Sequence, residues 1–175
     1  KINKELRDLE MPNARFSTKI EKQATYGING NDNIRFMICT NIGEENKELS
    51  KIASGGEMSR IMLAIKTVLA DVDDVPILVF DEIDTGISGK AAKAVAEKMR
   101  IISKKHQTLC ITHLPSIAAQ GTNNYYIYKE IKNNKTRTNV KKLTEEETIA
   151  EIARISNGEI TQTALENARE LRKVG

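Results

Sequence analysis

Cysteine is nearly absent from this chain of 175 residues: only Cys39 and Cys110 occur, far apart, each inside an apolar run and with no C-x-x-C pair or histidine cluster beside them. That pattern favours buried thiols in a reducing compartment over a disulfide or a metal site. Charge of one sign is lacking too. With 27 basic against 24 acidic residues the formal charge is +3, so no bulk field demands nucleic acid or membrane as a partner, and any basic contact surface has to be local. Long hydrophobic runs are missing, the longest being strand-sized, and residues 1–10 are charged rather than signal-like. The expectation is a soluble, cytoplasmic protein without a membrane partner. No repeat, low-complexity tract or long linker interrupts the chain. One compact α/β unit, or one lobe of a larger domain, is the simplest organisation at this length.

The apolar spacing predicts the elements. Ile2, Leu6 and Leu9 share a helical face that Pro12 ends, which reads either as a surface helix or as the last turns of a longer helix that begins upstream. Residues 14–26 and 34–40 read as an antiparallel pair around a polar turn at 27–33. Residues 54–70 form an amphipathic helix whose inward face carries Met58, Ile61, Met62, Ile65, Val68 and Leu69. Ile77 to Phe80 is a continuous apolar run suited to a parallel strand covered on both faces. A helix at 89–104 and a second buried strand at 108–112 complete a strand–helix–strand crossover, whose functional residues belong at the carboxyl ends of the strands. Downstream come a short helix from Pro115 to Gln120, and a hairpin of 125–131 and 136–143 turning at Lys132-Asn133-Asn134-Lys135. Two helices close the chain, the first opened by the capping box Thr144-Glu145-Glu146-Glu147 and the second covering 163–173.

Three places carry chemistry. Ser54 and Glu57 satisfy a plain S-x-x-E capping box, yet a cap does not require the intervening Gly55-Gly56, which lets backbone N–H groups approach an anion at a helix N-terminus. Asp81 and Glu82 follow a buried strand; either the strand simply exits into a polar loop, or one acid holds magnesium through water while the other polarises an attacking water. His113 follows the next strand, where a lone histidine is more often structural, although its edge is the one bearing the two acids. His106, in a Lys-Lys-His-Gln stretch, reads as solvated. A phosphate cradle is lacking: Gly86 to Ala91 imitates a P-loop, but Asp84 stands at the first glycine position and Ala91 replaces the hydroxyl.

In their order, Ser54-Gly55-Gly56-Glu57, residues 77–82, Thr85-Gly86-Ile87-Ser88 and Ile111-Thr112-His113 resemble the signature motif, Walker B, D-loop and switch histidine of ABC-type ATPase heads. The wording of residues 11–16, 51–64, 80–89 and 111–115 is most similar to the RecN family, bacterial SMC-like recombination and repair ATPases, from about Leu9 to the C-terminus. The resemblance implies an α/β fold, mainly parallel sheet with flanking helices plus antiparallel strands. It implies residues 1–10 as the end of a coiled-coil helix and 11–175 as the C-terminal lobe of a head whose Walker A half lies before the coiled coil. Under it, ATP and Mg2+ are the cofactors. Asp81 helps hold the magnesium, Glu82 activates the water, and His113 senses the γ-phosphate. Ser54, Gly55, Gly56 and Glu57 face a nucleotide held by the second head of a homodimer, and Asp84, Thr85, Gly86, Ile87 and Ser88 line the dimer seam.

Two residues depart from the transporter pattern, Glu57 in place of Gln and Ser88 in place of Asp; both agree with the RecN pattern. The resemblance also implies DNA as a partner and the bacterial nucleoid as the setting. Lys132, Lys135, Arg137, Lys141 and Lys142 are the DNA-contact candidates, against the blander and favoured reading of a charged edge strand with few interleaved aromatics. The competing functions are a non-enzymatic docking or DNA-binding module and the head of another SMC-type protein.

Overall fold

A computed structural model describes residues 1–132 and 135–173; the turn residues expected at Asn133 and Asn134 lie outside the described residues. Where one compact unit was expected, the chain divides into two, residues 1–111 and the residues from Thr112 onward.

In the first unit, α1 (Ile2–Asp8) buries Leu6, and Leu9 follows it into the core. It is tied to its neighbours at several points. Asn3 brackets the Phe16 backbone, accepting its N–H at 2.7 Å and donating to its carbonyl at 3.0 Å. Lys98 reaches Glu5 at 2.6 Å and Asp8 at 3.1 Å. Burial opposes the Lys98 charge, but these two carboxylates outweigh it and hold the ammonium pKa above its ordinary value. β1 (Arg15–Gly27) and β2 (Gly30–Cys39) run antiparallel, with a register shift between Lys22 and Gly27. The connection is tighter than expected, only Ile28 and Asn29, because Gly30 adopts φ +97° and closes it. A two-residue β3 (Lys47–Glu48) then pairs with Met37 and Ile38, and a 3-10 turn (Leu49–Lys51) leads into the next helix.

That helix, α2 (Gly55–Leu69), packs on α1 and on α3 (Gly89–Ile102). Its buried residues are Gly56, Arg60, Ile61, Leu63, Ala64 and Ile65, whereas Met58, Met62 and Val68 are half-buried and Leu69 is exposed. The inward face is therefore rotated from the expected one, because a buried arginine stands where the apolar pattern allows only a surface residue. β4 (Ile77–Phe80) pairs in parallel with β5 (Gln107–Cys110), Phe80 standing opposite Cys110. Leu78 and Phe80 are buried, but Ile77, Val79, Leu109 and Ile111 are 48–64% exposed. The strands expected to be covered on both faces are covered on one, the face of Leu78 and Phe80. His106, expected in solvent, is buried, its Nδ1 2.7 Å from the Val75 carbonyl.

The second unit begins with α4 (Pro115–Ala118), followed by the hairpin β6 (Tyr125–Lys132) and β7 (Lys135–Lys142) and by α5 (Glu145–Asn157) and α6 (Gln162–Lys173). Ala153, Ala164 and Ala168 let α5 and α6 approach closely around Ile152 and Ala119. The capping box at Thr144 is complete: its hydroxyl accepts the Glu147 N–H at 3.2 Å, and the Glu147 carboxylate accepts the Thr144 N–H at 3.0 Å. A cap of this kind contributes about 1 kcal/mol. Gly158 ends α5 in the left-handed conformation at φ +77°. Arg172 staples α6 back, donating to the Ala119 and Gly121 carbonyls and pairing with Glu145.

Candidate functional site

The connection from α2 into β4 reverses the chain direction, so the first turn of α2 lies beside the carboxyl end of β4. Ser54 caps the helix, its hydroxyl accepting the Glu57 N–H at 3.4 Å. Just past β4, Asp81 and Glu82 are exposed, and the Asp81 Oδ1 accepts the Glu82 N–H at 2.9 Å. Glu82 itself adopts φ +56°, a left-handed conformation that costs a residue with a Cβ about 1–3 kcal/mol. A turn closed by the Thr85 N–H on the Glu82 carbonyl, at 3.0 Å, follows directly. The loop then rises through buried Ile83 and Asp84 to exposed Thr85, Gly86 and Ser88, and α3 begins at Gly89.

Three residues of α2 grip this loop. Ser59 donates its hydroxyl to the Asp81 carbonyl at 2.7 Å. Arg60 donates from Nη1 to the carbonyls of Ile83, at 3.2 Å, and Thr85, at 2.9 Å. Gly56 lies so close that a Cβ there would meet the Glu82 and Thr85 carbonyl oxygens, each at 3.0 Å. Gly55 faces the acid instead: a Cβ would stand 2.0 Å from Glu82 Oε2. A carboxylate oxygen thus rests against the first turn of a helix, where backbone N–H groups and the helix dipole favour negative charge.

The structure therefore brings together Ser54, Gly55, Gly56 and Glu57 with Asp81, Glu82 and the loop Asp84, Thr85, Gly86, Ile87 and Ser88. His113 is exposed and opens the second unit, three residues beyond the end of β5. Sequence reasoning missed Arg60, which is 8% exposed and sits in a helix where arginine reads as solvated. Burial lowers its pKa from the ordinary arginine value, with Glu57 opposing that shift.

Both cysteines are free and only partly buried. For Cys110, burial and then the charges of Asp84 and Asp81 push the thiol pKa up to about 12, so it stays protonated at neutral pH and is no nucleophile. No cluster of three or more His, Cys, Asp or Glu fit to hold a metal occurs among the described residues. The donors here fit a magnesium ion held by one carboxylate through water, with its other ligands supplied from elsewhere, and do not form a cage of their own.

On the hairpin, the pairing of Tyr126 with Lys141, Glu130 with Arg137 and Lys132 with Lys135 sets four of the five basic candidates on one face. Lys142 pairs with Tyr125 on the other. Contrary to the expectation of few interleaved aromatics, Tyr126 and Tyr128 stack on the basic face, with centroids 5.6 Å apart. Lys141 pairs with Glu147 at 2.5 Å. Among the described residues no helix is long and apolar enough to cross a membrane.

No family model matches the chain. It is 43% identical to the DNA repair protein RecN of Bacillus subtilis, over 98% of this chain and 33% of that protein. Against RecN of Halalkalibacterium halodurans it is 44% identical, over 97% of this chain and 31% of the relative. RecN of Haemophilus influenzae is 41% identical over the same shares. The chain thus spans about a third of the length of the curated relatives it matches. Among solved structures, the Smc head domain with a coiled coil and joint from Pyrococcus yayanosii superimposes with a TM-score of 0.58 at 20% identity, covering 96% of this chain and 28% of that one. The Smc head domain of Pyrococcus furiosus, solved with the C-terminal domain of ScpA, gives 0.53 at 20% identity, covering 81% and 33%. These two likenesses carry the fold alone: the chain folds like part of an SMC head domain.

Proposed function

We propose that this chain, RecN-like in sequence and SMC-head-like in fold, is one lobe of a DNA-repair ATPase head that hydrolyses ATP once a Walker A half and a second head complete it. The observation that carries the reading is the Glu82 carboxylate oxygen resting against Gly55. It supports the Ser54-Gly55-Gly56 turn as a seat for an anionic oxygen, built against the very loop that bears the two acids. With no P-loop in the chain, the phosphates are cradled elsewhere, and this turn serves a nucleotide held by another head. The bare face of Ile77, Val79, Leu109 and Ile111 fits burial under that missing half.

In this reading magnesium, bound together with the nucleotide, neutralises charge on the phosphate oxygens. Asp81 accepts the Glu82 N–H through Oδ1 and would be the residue that holds that ion through water. Glu82, exposed at the strand end, accepts the proton of the attacking water. His113, exposed after β5, contacts the γ-phosphate, and residues 84–88 meet the second head. Residues 1–10 continue into the coiled coil, and the assembled protein acts in the cytoplasm at the nucleoid. The expected result is that this chain alone neither binds nor turns over ATP, while supplying the Walker A half in trans restores both. Robust turnover by the lone chain, measured as phosphate release, would sink the proposal.

A second reading, a DNA-contact module, is favoured by one observation, the hairpin face that sets Lys132, Lys135, Arg137 and Lys141 beside the stacked tyrosines. Changing these four residues to Gln in the full-length protein is then expected to weaken duplex binding and to flatten its salt dependence by about 0.9 for each phosphate no longer neutralised. An unchanged salt slope removes the hairpin from DNA binding.

A further inference from the structure

We propose that Arg60 is the positioning residue of this site, holding the loop 81–85 on α2 so that Glu82 keeps the backbone conformation that aims its carboxylate. The proposal rests on the reading of Glu82 as the water-activating acid, and its grounds are geometric. Arg60 is 8% exposed, and the oxygens its Nη1 reaches are two backbone carbonyls, those of Ile83 and Thr85. Ser59, next to it, takes the carbonyl of Asp81. Adjacent residues of α2 therefore hold three alternate carbonyls of one short loop, with the left-handed Glu82 between the first two.

A buried cation is costly unless its environment returns the lost hydration, and here two carbonyls do part of that while Nε has no partner. Packing alone is served as well by a leucine or methionine at this depth. What the planar guanidinium adds is a nitrogen, Nη1, whose two N–H groups diverge at a fixed angle, and so a fixed separation of the two carbonyls it binds and the path of the loop between them. The same helix carries the Ser54-Gly55-Gly56 turn at its start. A shift of that turn is thereby transmitted through Arg60 to the loop of Glu82, which links what the turn binds to where the acid points.

The test uses the full-length protein in steady-state ATP turnover. Arg60→Ala is expected to lower kcat about 10²-fold, the effect of displacing a reacting group by about an ångström, while the KM for ATP changes less than about threefold. Millimolar guanidinium ion restores part of the loss, and Arg60→Lys, with a freely rotating ammonium in place of the rigid, planar guanidinium, falls between. Ser59→Ala removes a single bond and shows the same split on a smaller scale, which covers the case of an Arg60→Ala protein that does not fold. An unchanged kcat in Arg60→Lys and Ser59→Ala overturns the proposal, as does a kcat loss that merely tracks the folded fraction and does not respond to guanidinium. Glu82→Gln is run beside them. Should that variant keep wild-type turnover, the reading of the acid itself has failed; should it lose turnover while the Arg60 variants keep theirs, only the positioning role has.

Discussion

Glu82→Gln in the full-length protein is expected to cut ATP turnover by about 10²–10⁴-fold, the usual worth of a positioned proton acceptor, while nucleotide binding persists. The substitution preserves shape. Its backbone turn, the Thr85 N–H on the residue 82 carbonyl, does not involve the side chain, and neither does the grip of Ser59 and Arg60 on residues 81, 83 and 85. An amide reaches as far as the carboxylate but cannot accept a proton from water at neutral pH. The nucleotide should therefore stay intact between the heads, and ATP-dependent pairing should last longer. Phosphate release, equilibrium nucleotide binding and chromatography with ATP read the three quantities separately. Turnover at the wild-type rate would remove Glu82 from its assigned role and leave Asp81 without a partner in the chemistry.

Much of the site was legible because it is written in short segments. The Ser54-Gly55-Gly56-Glu57 start of α2, the apolar run of β4 with its acids and the Thr144 capping box all stand where local chemistry puts them. What escaped depends on partners distant in sequence. β3 is two polar residues, Lys47 and Glu48, which form a strand only because β2 offers its edge. His106 is buried because the Val75 carbonyl, thirty-one positions upstream, lies beside its ring. The rotated face of α2 has the same origin, since Arg60 is made tolerable in the interior by the Ile83 and Thr85 carbonyls, which no window around residue 60 contains.

β4 is the reverse case. Ile77 and Val79 are as apolar as Leu78 and Phe80, so the segment encodes a strand buried on both faces, yet this chain covers one. The chain spans about a third of the length of the relatives it matches, and under the proposed function the Walker A half covers the remaining face. Nor was the left-handed backbone of Glu82 legible. A glutamate carries no propensity for it, and the loop is held there by Gly56, Ser59 and Arg60.

The paired glycines of the signature turn should separate stability from function when each is changed to alanine. At Gly56 the new methyl meets the Glu82 and Thr85 carbonyl oxygens at 3.0 Å and Thr85 Cβ at 3.1 Å. The two oxygens are backbone atoms, fixed by Arg60 and by the turn at Thr85, so relief requires moving the loop or the helix. Overpacking of this kind costs about 1–3 kcal/mol, and Gly56→Ala should unfold at a measurably lower denaturant concentration. At Gly55 the methyl meets Glu82 Oε2 at 2.0 Å and Cδ at 3.2 Å, which is the far end of a flexible side chain. It can rotate away, and alanine is the better helix former by up to about 1 kcal/mol. Gly55→Ala should therefore match or exceed the wild type in denaturant, yet fail in ATP turnover and ATP-dependent pairing, because the methyl fills the seat that receives an anionic oxygen. The same two proteins, compared by urea unfolding and by phosphate release, decide the matter: wild-type turnover in Gly55→Ala ends the anion-seat reading, and wild-type stability in Gly56→Ala shows that the loop yields more easily than its three anchors on α2 imply.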